Sequence, residues 1–286
     1  MKIAVIGSIN TDFVYKVDKV PNKGETVFGE EYKILNGGKG ANQCVILSAL
    51  EKDVVFLGAV GTDVFGSNSL DYYSSLGLNE NIVVKDVSTG LAVIQLSDGD
   101  NSITVIKGAN DEITRDDVDE FFRKHQSIDV IVSQLEICLD TIEYLLKKAF
   151  EKGVKIILNP APAMKLKEEI INLVDYLIPN EIEARLIFNT DDLESIVRKY
   201  KGKVIVTIGE KGVMYYENQM VKTMPSLKFV LVDTTGAGDS FVAGFTSGIA
   251  NQLSLSGAVK KGIEIASITC QHMGAQSAYK YIVSKK

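Results

Sequence analysis

The chain has 286 residues, of which 45% are hydrophobic and 24% charged, and its formal net charge is −6. This composition predicts a globular protein with a large core, and the acidic balance argues against nucleic acid as the main partner. Three widely spaced cysteines, Cys44, Cys138 and Cys270, form no CxxC pair, which predicts buried thiols in a reducing compartment. No signal peptide precedes the first strand and no apolar run could span a bilayer, so we expect a cytoplasmic protein without a membrane partner.

The chain opens on a predicted buried strand, residues 2–7, with a C-terminal turn over residues 7–10 that ends at Asn10, and Asp12 follows this turn. In open α/β sheets, ligands bind beyond the carboxyl ends of the strands. Asparagine offers a donor and an acceptor and aspartate offers acceptors, a combination that suits a polyhydroxylated ligand. An Asx-type turn is the structural alternative for the same residues.

Two hairpins are predicted, over about residues 12–35 and 89–108, the second with a turn at Asp98-Gly99. Neither fits a parallel core of alternating strands and helices, so we expect them to form a small separate sheet. Such a sheet with an apolar face needs a partner surface. A homodimer formed through this sheet is our hypothesis.

A glycine-rich stretch, Gly37-Gly38-Lys39-Gly40, precedes a helix predicted over residues 41–50. Glycines allow close backbone approach at a helix start, and Lys39 and Asn42 supply polar contacts. The full Walker A spacing is absent. A glycine-rich connector with a solvated lysine is the alternative. After the next predicted strand, residues 54–60, Asp63 is expected to cap a helix.

From residue 116 to residue 216 strands and helices alternate, which predicts a mostly parallel central sheet with helices on both faces, an α/β fold. Glu136 follows the strand 129–133 and is either a substrate ligand or a cap for a helix that begins near Thr141. Asn180 and Glu183 share a face of a starting helix, where a capping box is the alternative. Thr207, Gly209 and Gly212 are in a loop that either covers a nucleotide or makes a plain hairpin turn.

The stretch 233–245 is the most informative of the chain. Residues 230–232 are predicted to be a short strand, so that Gly236-Ala237-Gly238 would lie where the strand turns into a helix. The free N–H groups of a first helical turn and the helix dipole favour an anion such as phosphate. Asp239 beside such a site would serve as a base for a hydroxyl that attacks the phosphate. A tight turn with Asp239 as the N-cap is the alternative.

Two distant stretches resemble the signatures of the ribokinase-like sugar kinases, also called the PfkB family. They are Asp-Thr-Thr-Gly-Ala-Gly-Asp-Ser-Phe at 233–241 and Asn-Gly-Gly-Lys-Gly-Ala-Asn-Gln at 36–43. The similarity continues through most of the chain. It implies one kinase domain over residues 1–286, with the two hairpins as a lid over the sugar that pairs with the lid of a second subunit.

The resemblance implies phosphoryl transfer from ATP, with magnesium, to a sugar hydroxyl. Asp239 would be the base, and Gly236, Ala237 and Gly238 would form the anion hole. The implied sugar ligands are Asn10, Asp12, Gly38, Lys39, Asn42, Glu136 and Asp239. The implied nucleotide contacts are Asn180, Thr207, Gly209, Gly212 and Gly238, and Glu183 would hold Mg²⁺ through water.

The matching sugar residues favour D-ribose and ribose 5-phosphate as its product; 2-deoxyribose, fructose or a nucleoside are alternative acceptors. A non-catalytic sugar-binding regulator, or an α/β nucleotide-binding module with another reaction, are the alternatives from other classes. The resemblance further implies a monovalent-cation site for potassium at Asp233, Thr235, Thr269, His272 and Gly274. The chain departs from the family pattern there, since it has Ala278 where a serine is expected and no proline follows.

Overall fold

The computed structural model describes residues 1–97 and 100–284. The strands are β1 (Ile3–Ile6), β2 (Asn10–Val17), β3 (Gly29–Gly37), β4 (Val54–Gly61), β5 (Asn81–Lys85), β6 (Gly90–Ser97), β7 (Asp100–Ile106), β8 (Val130–Ser133), β9 (Lys155–Leu158), β10 (Tyr176–Leu177), β11 (Val206–Thr207), β12 (Val213–Glu217) and β13 (Met220–Met224). The α-helices are α1 (Lys39–Leu50), α2 (Val64–Ser75), α3 (Arg115–Lys124), α4 (Leu139–Glu151), α5 (Glu168–Leu173), α6 (Glu181–Phe188), α7 (Leu193–Lys199), α8 (Ala237–Ala250), α9 (Leu255–Thr269) and α10 (Ala278–Val283).

A parallel sheet of strand order β10-β9-β8-β1-β4-β5 forms the centre of the molecule. Its strands are short apolar runs, as expected for strands covered on both faces. Alternate residues face opposite sides: Ile3 and Val5 pack with α1, α8 and α9, whereas Ala4 and Ile6 pack with α3, α4 and α7. The predicted fold class, a mostly parallel sheet with helices on both faces, is confirmed.

The two predicted hairpins are present and form one four-stranded sheet of order β3-β2-β6-β7. β2 pairs antiparallel with β3, β6 pairs antiparallel with β7, and a parallel pairing of β2 with β6 joins the hairpins. The predicted Asp98-Gly99 turn lies outside the described residues. Asp63 caps α2, as expected, by accepting the Gly66 N–H at 2.8 Å.

The predicted strand at residues 230–232 is wrong. Val230 is 81% exposed and Leu231 and Val232 are also exposed, in an irregular segment that leads to α8. Within the described residues, only the Val232 and Asp233 N–H groups of this segment donate to backbone elsewhere, both to the Cys270 carbonyl. Apolar character alone indicated a strand, but no neighbouring strand is available to pair with it. The anion loop therefore follows a loop rather than a strand.

Sequence analysis also missed β5 and β13, which lie at the edges of their sheets. It placed the start of the first helix two residues late, since α1 begins at Lys39. No helix in the described parts of the chain is long and apolar enough to cross a membrane.

Gly40 provides a test of how α1 is positioned against the end of β1. A Cβ atom at Gly40 would lie 2.5 Å from both Gly7 C and Ser8 N, all of it backbone that cannot move away cheaply. We therefore expect Gly40→Ala to cost about 1–3 kcal/mol of the free energy of unfolding, measured by denaturant unfolding. Gly238→Ala is the matched control, because Gly238 is likewise the second residue of its helix and has no atom within 4 Å of a built Cβ. Equal stability of the two variants would contradict the prediction.

Candidate active site

A cleft opens at the carboxyl edge of the central sheet, beyond the ends of β9, β10 and β11. Its lining combines predicted sugar, nucleotide and magnesium residues with several that were not predicted. The lining residues are Lys39, Asn159, Ala161, Ile178, Asn180, Glu183, Thr207, Gly236, Gly238, Asp239 and Val242. Residues that sequence analysis assigned to separate tasks thus meet in one cavity.

Asp239 is the third residue of α8 and is only 7% exposed. The N-cap of this helix is Gly236, and Asp239 does not cap it, so the structural alternative for Asp239 is wrong. Its carboxylate instead accepts two amide hydrogen bonds, from Asn42 Nδ2 to Oδ2 at 2.9 Å and from Gln43 Nε2 to Oδ1 at 3.0 Å. A buried carboxylate in a cleft, fixed by two donors, has the geometry that a general base needs.

The start of α8 presents N–H groups beside Asp239. Gly236 has a φ of 76°, and a Cβ there would lie 2.4 Å from Ala275 Cβ, so only glycine fits. The Ala237 N–H donates to the Thr234 carbonyl at 3.1 Å, whereas the N–H groups of Gly236 and Gly238 have no hydrogen-bond partner within the described residues. Two of the three predicted anion-hole donors are therefore free, at the positive end of a helix dipole.

Lys39 is the positive charge of the site and the first residue of α1. Burial alone would lower the pKa of Lys39, but the carboxylates of Asp239, Glu136, Glu183 and Asp12 raise it, and the net pKa lies above the ordinary value. The ammonium is therefore charged at all physiological pH values. The alternative of a solvated lysine in a glycine-rich connector is therefore wrong.

Glu136 caps α1 rather than the helix that follows it in the chain. Its Oε2 accepts the Lys39 N–H at 3.0 Å and the Ser8 hydroxyl. The alternative that Glu136 caps the next helix is wrong, because α4 begins at Leu139 after Cys138. Glu136 thereby ties the strand end beyond β8 to the start of α1, across 97 residues of sequence.

Asn10 begins β2 and is oriented by a residue that sequence analysis did not select. Asn110 Nδ2 donates to Asn10 Oδ1 at 2.8 Å and to the Ile9 carbonyl at 2.9 Å, while Asn110 Oδ1 accepts the Ile9 N–H at 2.8 Å. The Asn10 amide nitrogen has no hydrogen-bond partner among the described residues, so Asn10 can donate to a ligand while Asn110 holds its oxygen. The structural alternative, an Asx-type turn, is wrong, since Asn10 is already in strand β2.

Asp12 lies one pleat further along the same face of β2. Burial, with additional contributions from the charges of Glu136 and Asp239, raises the pKa of Asp12 to about 7 despite the opposing effect of Lys39. The carboxyl group therefore titrates near neutral pH.

Asn180 and Glu183 form a capping box at the start of α6, the structural alternative for this pair. The Asn180 N–H donates to Glu183 Oε2 and the Glu183 N–H donates to Asn180 Oδ1, each at 2.8 Å. Burial raises the pKa of Glu183, against the lowering effects of the Asn180 N–H and Lys39. Both residues nevertheless line the cleft, so a structural role does not remove them from the site.

Thr207 ends β11, and Gly209 and Gly212 are in the connection to β12, which pairs antiparallel with β11. The hairpin alternative therefore describes this segment correctly. The Gly212 N–H donates to the Gly209 carbonyl at 3.0 Å, and both glycines have positive φ, 58° and 101° for Gly209 and Gly212. Only Thr207 of the three lines the cleft.

The two segments of the predicted cation site are in contact. Asp233 Oδ1 accepts the Thr235 N–H at 2.9 Å and Oδ2 accepts the Gly274 N–H at 2.8 Å. Burial raises the pKa of Asp233, but the hydrogen bonds from these two N–H groups lower it further than burial raises it. The net pKa lies below the ordinary value. Thr269 is already engaged, with its carbonyl accepting the His272 N–H and its hydroxyl bonded to Ser240.

Sequence analysis missed Gln43 and Asn159. Gln43 bonds to Asp239 and Asn159 lines the cleft. Gln43 belongs to the 36–43 motif, and Asn159 follows a predicted strand, so both carried a usable signal. Neither could be linked to Asp239 without knowledge of contacts between positions 43, 159 and 239.

Comparison with known proteins places this site in a family. Residues 1–280 match the family described as pfkB family carbohydrate kinase. The chain belongs to that family.

The ribokinase of Lactococcus lactis is 39% identical over 277 residues, which cover 96% of this chain and 92% of that protein. The deoxyribokinase of Salmonella typhi is 34% identical over 99% of this chain and 96% of its own length. The structure of Arabidopsis thaliana ribokinase complexed with ribose and ATP superposes with a TM-score of 0.84 at 28% identity, over 99% of this chain and 97% of that one. The expected family and fold are thus confirmed, and the chain is a sugar kinase by membership.

The titration of Asp12 gives a stability prediction. The pKa of Asp12 is about 7 in the folded protein against its ordinary value of 3.8, so the folded state holds the proton more tightly. The associated destabilisation is absent below pH 4, grows as the pH rises, and is complete above pH 7. Asp12→Asn removes it, and we expect the variant to gain on the order of 1–4 kcal/mol over the natural chain at pH 8, with a gain that shrinks at pH 5.

Calorimetric unfolding of the unliganded protein at both pH values measures this difference. Asp18→Asn, at an exposed position just beyond β2, is the control and should leave the unfolding temperature unchanged. A loss of stability in Asp12→Asn of the same size at both pH values would contradict the assignment of an uncompensated buried carboxylate.

Proposed function

We propose that this chain is an ATP-dependent ribokinase that phosphorylates D-ribose to D-ribose 5-phosphate. The observation that carries the proposal is the buried Asp239 carboxylate beside the unpaired N–H groups at the start of α8. A base and an anion site in one cleft are what transfer of a phosphoryl group to a hydroxyl requires. The ribokinase relatives from Lactococcus lactis and Arabidopsis thaliana support ribose as the acceptor and ATP as the donor.

In this proposal the sugar lies between β2, the start of α1 and Asp239. Its ligands are Asn10, Asp12, Gly38, Lys39, Asn42 and Glu136. Asp239 takes the proton of the attacking hydroxyl, whose oxygen bonds to the γ-phosphorus as the bond to the leaving ADP oxygen breaks. The N–H groups of Gly236 and Gly238 stabilise the charge on the transferred group, and the Ala237 N–H joins them if its bond to Thr234 opens.

We place the nucleotide along Asn180, Thr207, Gly209, Gly212 and Gly238. Glu183 would hold Mg²⁺, and the ion would neutralise phosphate charge there, since the buried Glu183 carboxylate lines the pocket and only one of its oxygens accepts the Asn180 N–H. Contact through water suits an ion that keeps several waters. Among residues 1–97 and 100–284 no cluster of three or more His, Cys, Asp or Glu residues could hold a metal ion, so phosphate and water would supply most ligands.

Potassium fits less directly as an activator. The Asp233 carboxylate and the loop around Gly274 supply the oxygen-rich setting that a monovalent cation needs, with Thr235, Thr269 and His272 as the remaining candidate ligands. Asp233 already accepts two N–H groups, so the cation would share this carboxylate rather than replace those bonds.

2-Deoxyribose is the second candidate acceptor, favoured by the Salmonella typhi deoxyribokinase relative. The two sugars differ by one hydroxyl. A site built to pair with that hydroxyl discriminates strongly against the sugar that lacks it, because buried polar groups stay unpaired.

The decisive experiment measures ADP release with Mg²⁺-ATP and K⁺ across ribose, 2-deoxyribose, fructose and adenosine, with Asp239→Asn in parallel. We expect ribose-dependent turnover that falls by about 10²–10⁴-fold in the variant while ribose binding persists in calorimetry. Faster turnover of another acceptor would overturn ribose and keep the mechanism. Near-normal turnover of Asp239→Asn would refute the base. Ribose binding with no turnover would favour the sugar-binding regulator.

We also propose that the four-stranded sheet is a lid within a single kinase domain and that it pairs two subunits. Tyr32 and Ile34 are exposed on one face, and Ile103 and Val105 are exposed on the face that carries Asp12. One apolar face would cover the sugar, and the other would meet the second subunit.

Light scattering should therefore give twice the chain mass of 31.2 kDa. Ile34→Glu should shift the protein to the single-chain mass, because it buries a charge in the interface. Val84→Glu, at an exposed position on the edge strand β5 of the central sheet, is the matched control and should stay dimeric. A single-chain mass of the natural protein at micromolar concentration would refute the dimer.

A further inference from the structure

A chain of buried amide groups runs behind the cleft and ends on Asp239. Gln43, in α1, is 0% exposed. Its Nε2 donates to Asp239 Oδ1 at 3.0 Å and to Asn159 Oδ1 at 3.1 Å, and its Oε1 accepts from Gln134 Nε2 at 2.6 Å. Every polar position of the Gln43 side chain is therefore engaged by the protein, and none is left for a ligand.

The orientation of this amide follows from a backbone group. Asn159 Nδ2 donates to the Ile178 carbonyl at 2.9 Å, and a carbonyl can only accept. The Asn159 oxygen therefore faces Gln43 and accepts a hydrogen bond, which only the Gln43 amide nitrogen can donate. The same nitrogen meets the Asp239 carboxylate, which also only accepts when ionised. Two independent acceptors thus fix Gln43 as a donor to Asp239.

Asn42 and Gln43 are consecutive residues that hold opposite oxygens of one carboxylate. With one donor on each oxygen, the carboxylate plane is fixed relative to α1. Asn42 is also a proposed sugar ligand, whereas Gln43 has no free polar group. Asn42 Oδ1 accepts from Gln276 Nε2 at 3.0 Å and Asn42 Nδ2 makes one hydrogen bond, so one Asn42 N–H remains to donate to the sugar, whereas Gln43 acts through Asp239.

We propose that Gln43 is a positioning residue for phosphoryl transfer. It holds the Asp239 carboxylate in the orientation that receives the proton of the substrate hydroxyl. The inference rests on the proposed function, since it needs Asp239 to be the base. Loss of the Gln43 donor frees the Asp239 carboxylate to rotate and leaves the other sugar ligands in place, so kcat falls while KM for the sugar changes little.

Gln43→Met keeps the length of the side chain and removes the donor. We expect kcat to fall by about 10- to 100-fold, the scale on which misplacement of a reacting group acts, while KM for ribose stays within about 3-fold. Gln134→Met is the matched control, because it also deletes a buried amide of the same network, but Gln134 has no hydrogen bond to Asp239 among the described residues. Its kcat should fall at most a few-fold.

A double-mutant cycle separates positioning from a purely structural role. If Gln43 acts through Asp239, then Gln43→Met causes no further loss in the Asp239→Asn background. A structural role would instead multiply the two losses. The cycle is measured at saturating ATP and sugar, and thermal unfolding confirms that each variant is folded. If Gln43→Met does not fold, Gln43→Leu takes its place, because an apolar side chain of similar volume also cannot donate to Asp239.

A kcat of the Gln43 variant within about 2-fold of the natural protein would overturn the inference, as would multiplicative losses in the cycle. Failure of the proposed function looks different. In that case Asp239→Asn itself retains turnover, whereas failure of this inference alone leaves Asp239→Asn inactive and Gln43→Met active.

Discussion

The site depends on one buried cation among four carboxylates. Lys39 is surrounded by Asp239, Glu136, Glu183 and Asp12, whose charges together raise its pKa. Carboxylates withdrawn from water without a partner cost several kcal/mol each, and a single ammonium offsets only part of that cost. The raised pKa values of Asp12 and Glu183 reflect the part of this desolvation cost that Lys39 does not offset. Hydroxyl donors and a divalent cation are the ligands that such an excess of negative charge favours.

The same cleft must also accept phosphate, and backbone dipoles provide for that. Helices α1, α6 and α8 all begin at the cleft, so three positive helix ends face it. For α1 this placement depends on backbone contact, because Gly40 leaves room for no more than a hydrogen atom against Gly7 and Ser8. This contact sets the distance between the first turn of α1 and the end of β1. It thereby also sets the positions of Asn42 and Gln43 beside Asp239.

Sequence reasoning predicted features that are encoded within a few residues of the chain. The Asp63 cap, the two hairpins and the pairing of Asn180 with Glu183 depend on local spacing, and all three are present. Features that depend on distant partners were not predictable in this way. Val232 reads as part of a strand, but no strand lies beside it. Gln43 reads as one more helical residue, because its partner Asp239 is 196 residues away.

From sequence, Glu136 and Glu183 were each expected either to cap a helix or to bind a ligand. The structure shows that the two roles do not exclude each other. A carboxylate has two oxygens with about four lone-pair directions between them, so one oxygen can complete a helix while the other meets a ligand. Glu136 uses Oε2 for the start of α1, and Glu183 uses Oε2 for the start of α6. Capping fixes each side chain in place before a ligand arrives, which lowers the ordering cost of binding. The helix ends that need caps are therefore also the places where a preorganised ligand is available.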